Sequence, residues 1–249
     1  METFAVRRTI RPLAGWATAI GAYFLLIGLI AESMTGFLTD NPTFVDLPGQ
    51  AGFTALNTTQ GYTATLSALL AVPVGAFTAV RLAEFAALET NRRLTLLAAQ
   101  PIHRNRLLAA EATAAAGGAI ALAATAALAT WLGITTTGGN LRLTAALAGT
   151  CNTLPVAALC LGAAIFALGW APRMTAALGA LPAAGGFLLQ TIAESTSAPA
   201  WVINLSPFAH LAPVPLAEVN WPATAIMSAI AVVLTVLGGY GYQHRDLRG

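Results

Sequence analysis

The most distinctive chemistry in this sequence lies between residues 81 and 108, which read Arg81-Leu-Ala-Glu-Phe-Ala-Ala-Leu-Glu89-Thr-Asn-Arg-Arg93-Leu-Thr-Leu-Leu-Ala-Ala-Gln-Pro101-Ile-His-Arg104-Asn-Arg-Leu-Leu108. Leu94, Leu97 and Ala98 recur at helical spacing, while Glu89, Arg92, Arg93 and Arg104 supply a charged face. Pro101 ends that helix, because its ring cannot continue the hydrogen-bond ladder. The pattern is a short amphipathic helix, a stop, and a basic lead into the next apolar run. Its chemistry is recognition: such a helix either lies in a membrane interface or seats its apolar stripe in the groove of a partner.

Bond-making chemistry has little to rest on. His103, His210 and His244 fall in three different connecting or terminal segments on two sides of the topology derived below, which excludes a joint metal site. Cys151 and Cys160 sit in one apolar stretch with no metal spacing and are expected to pack. The phosphate-binding pattern G-x-x-x-x-G-K-[ST] needs a Lys, and all twelve basic residues are Arg. Serine-nucleophile patterns of the type G-x-S-x-G are also missing. The chain is not expected to be an enzyme or to hold a cofactor, and no nucleic-acid partner is expected. Arg81, Glu84 and Glu111 lie near the inner ends of spans two and three, where they can reach the interface or one another, and Arg81 and Glu84, three apart on one helix face, read as a structural anchor. Asn152 and Gln190 either bond across helices or line a substrate path, with bonding as the expectation.

These residues must be positioned by membrane helices. Of 249 residues, 57% are apolar and only 9% charged, whereas ordinary soluble domains are about 25% charged. A span needs about 20 mostly apolar residues. Six segments qualify, near 13–31, 62–80, 112–134, 143–170, 174–193 and 222–241. The first follows Arg7, Arg8 and Arg11 and shows no small-residue cleavage site, so it reads as a retained span rather than a signal peptide. Placing the N-terminus in the cytoplasm puts every Arg except Arg142 on the inner face, and an even number of spans returns the C-terminus there too. No six-helix repeat and no low-complexity linker divides residues 1–249, which read as one transmembrane domain.

Three longer connections remain: outer near 32–61, inner near 85–111 and outer near 194–221. Function is expected there or between helices. Pro73, Pro155 and Pro182 should each kink a span, and the fourth span is long enough to break. The small residues of span three, beginning Ala112-Thr-Ala-Ala-Ala-Gly-Gly118, suit close packing inside the bundle. In the last outer segment Pro199, Pro207, Pro213 and Pro215 prevent one long helix, and Trp201, Phe208 and Trp221 suit a lipid interface. Short helical pieces that dip into the outer leaflet and close a path from above are expected, with Trp201, Ser206, Pro207 and Phe208 as outer gate candidates.

The stretch from Glu89 to Leu108 resembles the cytoplasmic coupling region of ABC-2 type permeases, the membrane subunits of ATP-binding-cassette exporters. Glu89, Arg93, Leu96, Leu97, Pro101, Ile102 and Arg104 match that family's pattern, whereas Arg92 stands where Gly is usual and Thr95 where Glu is usual. Leu205-Ser-Pro-Phe208, the final span and the tail His244-Arg-Asp-Leu-Arg248 resemble the close of the same family, whose outer segment is a re-entrant hairpin. With Arg7, Arg8 and Arg11 before the Trp16-bearing span, the layout is most similar to one half of the tetronasin-type antibiotic exporters. The resemblance implies an all-α permease in the bacterial plasma membrane that moves amphipathic drugs, antibiotics or lipids outward. It also implies docking of an ABC ATPase dimer on Glu89, Arg93, Leu94, Leu96, Leu97, Pro101, Ile102 and Arg104. ATP and Mg would sit on that partner, and a second permease chain, identical or homologous, would complete the path amid membrane lipid. A secondary transporter or channel would need no ATPase; the lack of intramembrane charge rows argues against it. An intramembrane lipid-modifying enzyme would need convergent polar groups in the spans, which are not found.

Overall fold

A computed structural model of the protein describes residues 2–40, 58–90 and 104–244. Among these residues every regular element is helical and none is a strand. Six stretches are long and apolar enough to cross a bilayer: Ile10–Asp40, Thr59–Glu89, Asn105–Thr136, Leu143–Trp170, Pro172–Ser195 and Trp221–His244. Span one is helix α1 (Glu2–Asp40), and span two is the pair α2 (Thr59–Leu69) and α3 (Ala71–Thr90). Span three is α4 (Arg104–Thr136), and span four the pair α5 (Leu143–Cys151) and α6 (Leu154–Trp170). Span five combines α7 (Thr175–Ala180) and α8 (Gly186–Ser195), and span six is α10 (Trp221–His244). Between the last two spans lie α9 (Ala200–Ile203) and a 3-10 turn at Pro207–His210.

Pro73, Pro155 and Pro182 each coincide with an irregularity, whereas Pro12 sits inside the unbroken α1. Span two is interrupted at Leu70, shortly before Pro73, and span four at Asn152–Thr153, with Pro155 in the first turn of α6. Pro182 sits in a π turn, Leu181–Gly185, that widens span five. The cause is the missing Pro N–H and the clash of its ring with the preceding turn. Threonines inside the spans discharge their hydroxyls on their own helix: Thr35, Thr63, Thr130 and Thr235 each donate to the carbonyl four residues back. These side chains thus need no partner from lipid or from another helix.

Two boundaries differ from the sequence-based expectation. Helix α1 continues past residue 31 to Asp40, because Ala31, Thr35 and Leu38 extend its buried face by two further turns. The connection expected near 85–111 is shorter, since α3 runs to Thr90 and α4 already begins at Arg104.

Spans two and four form the interior of the bundle, and α6 packs against α3, α7 and α10. Span three lies against α1, where a Cβ on Gly133 would fall 2.7 Å from the Leu25 carbonyl oxygen. It keeps Ile120, Leu128 and Leu132 exposed on its other side, so it is less central than its small residues suggested. At the contact of α6 with α10, a Cβ on Gly162 would fall 2.6 Å from the Ala231 carbonyl oxygen. Only side chains of this size let two helix backbones approach so closely.

Candidate functional site

Helices α3 and α4, which flank residues 91–103 in sequence, meet in one buried cluster. Leu82, Phe85 and Ala86 from α3 meet Leu108 and Ala115 from α4, Ala164, Ile165 and Leu168 from α6, and Tyr242 from α10. Four spans therefore share one packed cluster directly beside the expected coupling region. Arg81 is 2% exposed on the edge of this cluster and pairs with Glu84 one turn on. Its guanidinium also lies 3.7 Å from the carboxylate of Glu111 in α4, itself 6% exposed. A buried guanidinium is tolerated only when carboxylates offset its lost hydration. The expected anchor is thus a tie between spans two and three as well as a pair within one helix.

Glu89, one residue before the end of α3, accepts a hydrogen bond from the Tyr242 hydroxyl of α10. The Tyr242 ring is buried and stands 6.3 Å from Phe85, centroid to centroid. Of the other expected docking residues, Arg104 opens α4. Arg93, Leu94, Leu96, Leu97, Pro101 and Ile102 lie outside the described residues, as does His103.

The outer gate candidates separate into two groups. Ser206 is fully buried; its hydroxyl donates to the Gly186 carbonyl at 2.9 Å and accepts from the Phe208 amide at 3.1 Å. Pro207 abuts Gly186, and Phe208 meets Phe187 edge to face at 5.8 Å. Phe208 and Leu211 also pack on a cluster of Ala71, Val156, Leu159 and Met227, drawn from spans two, four and six. Trp201 stands apart, 69% exposed on α9. Asn152, at the break in span four, donates to the Ala212 carbonyl at 2.9 Å and so ties the break to this segment. Gln190 bonds Glu194 one turn along its own helix, not another span.

One participant escapes sequence reasoning. Tyr242 looks like an ordinary aromatic near a span end, and its partner is 153 residues away. For Asn152 bonding was the expectation, and the structure supplies its partner, Ala212, 60 residues away. His210 and His244 each bond a backbone carbonyl nearby, of Asn204 and Tyr240.

Comparison with known proteins adds a family. Residues 3–243 match the family model described as the C-terminal domain of the multidrug efflux system permease Rv1217c. The multidrug efflux system permease protein Rv1217c of Mycobacterium tuberculosis (strain ATCC 25618 / H37Rv) is 28% identical over 239 residues, covering 94% of this chain and 42% of that protein. The chain thus spans about two fifths of the length of this curated relative.

Proposed function

Since the chain belongs to the family of multidrug efflux permease C-terminal domains, we propose that it is a permease subunit of an ABC exporter, moving amphipathic drugs, antibiotics or lipids out of the cytoplasm or inner leaflet. A separate ABC ATPase dimer, carrying ATP and Mg, docks on residues 89–104 at the cytoplasmic face. A second permease unit, identical or homologous, completes the path, because six spans rich in small residues enclose little volume for a large substrate. Both termini are cytoplasmic in the bacterial plasma membrane, as the Arg distribution favours.

One observation carries the mechanism: α3 and α4, the helices that flank residues 91–103 in sequence, enter one cluster shared by spans two, three, four and six. A displacement imposed on that segment cannot stay local, since packed interiors move as units rather than deform. At the opposite end the Ser206–Phe208 turn closes the path from above, as a re-entrant outer gate. Its ties to Gly186 and, through Ala212, to Asn152 connect gate opening to movement of spans four and five.

Leu97→Asp tests the docking. A buried apolar anchor carries most of an interface's energy, so a carboxylate there is expected to release the ATPase from the purified complex. Transport should be lost while all six spans still insert. A variant that keeps its ATPase and its substrate-stimulated hydrolysis would overturn the assignment.

A further inference from the structure

We infer that Tyr242 is a positioning residue through which the stroke of the ATPase reaches span six and, along it, the outer segment. This inference rests on the docking of an ATPase at residues 89–104 and adds a route that the sequence did not suggest. Glu89 is the point where α3 leaves the bundle toward the docking segment, and its carboxylate is bonded to Tyr242 of α10. A push on the segment therefore acts on α10 as directly as on α3 and α4.

Helix α10 is built to carry that push without absorbing it. It is one unbroken helix of 24 residues, whereas spans two, four and five are all interrupted. Its contact with α6 is backbone to backbone at two points, seven residues apart on α10. Gly162 faces the Ala231 carbonyl, and a Cβ on Gly238 would fall 2.5 Å from the Ile165 carbonyl oxygen. Trp170 at the end of α6 donates its indole N–H to the Leu237 carbonyl at 3.2 Å and covers Gly241. At the glycine contacts the two backbones touch directly, and the Trp170 indole is pinned to α10, so α6 and α10 cannot shift past each other without collision and move as one body. At its far end α10 grips the outer segment. The Asn220 amide donates to the His210 carbonyl at 3.3 Å while its oxygen accepts from the Ala223 amide at 3.2 Å. Ala223 and Met227 share their apolar cluster with Phe208 and Leu211.

The test uses the full chain with the ATPase that co-purifies from native membranes. The complex is reconstituted in nanodiscs for thiol labelling and in inside-out vesicles for ATP-driven uptake of ethidium. Tyr242→Phe keeps the ring and removes only the hydroxyl. It is expected to retain the ATPase and its basal hydrolysis yet lower ethidium uptake about tenfold, the scale of a lost hydrogen bond to a charged acceptor. The rate at which an impermeant maleimide labels Glu218→Cys, exposed in the outer segment, should respond to ATP with Tyr242 in place and not with Phe. An ATP response and uptake that survive Tyr242→Phe would overturn the inference while leaving ATPase docking intact. If no ATPase accompanies the unaltered chain, docking and the inference fall together, before any substitution at Tyr242 is made.

Discussion

Arg81 concentrates the electrostatics of the described spans in one side chain. It is 2% exposed and held by Glu84 within its own helix and by Glu111 from α4. Sequence already set all three charges at the ends of spans two and three, and spacing of three puts Arg81 and Glu84 on one face; that Arg81 meets Glu111 rather than the interface was decided by the packing of α4. Replacing Arg81 with Met would remove its guanidinium from beside the buried Glu111 carboxylate. That substitution is expected to cost about 3 kcal/mol, the scale for breaking a buried pair from one side. Thermal unfolding of the detergent-solubilised chain checks it, with Glu84→Gln as the mild comparison because Glu84 is about half exposed.

At the scale of elements, composition announced the helices and Pro announced their breaks, but which helix faces which was decided by shape. Gly117 and Gly118 make the point, since they are adjacent and chemically identical. A Cβ on Gly117 meets nothing within 4 Å, whereas one on Gly118 would fall 2.6 Å from the Phe77 ring. Phe77 is fully buried with Trp16 against its edge, so it cannot step aside. Gly117→Ala is expected to stabilise the chain by about 0.5–1 kcal/mol through reduced backbone entropy in the unfolded state. Gly118→Ala is expected to destabilise it by about 1–3 kcal/mol through overpacking. Melting curves of the two variants should therefore move in opposite directions.

For the whole molecule, the arrangement across the membrane is the property to measure. The turn between α4 and α5 is exposed at Asn140, and α4 is exposed at Arg106 near its opposite end. In a background lacking Cys151 and Cys160, Asn140→Cys is expected to react with an impermeant maleimide on intact cells. Arg106→Cys should react only after permeabilisation. The reverse pattern would invert the orientation and place residues 89–104 away from cytoplasmic ATP.

Sequence by itself determined that the described residues form helices, six stretches of them long and apolar enough to cross a bilayer, because lipid leaves no other way to satisfy the backbone over such apolar runs. It also marked where spans two, four and five would be interrupted, since a Pro acts on its own turn. Tertiary structure alone decided that α6 lies at the centre, that Asn152 holds Ala212, and that Tyr242 reaches Glu89. The reason is physical: period and composition report how a residue relates to its own helix, whereas these contacts join segments 60 and 153 residues apart. Between such segments, closeness depends on which small residues let two backbones meet.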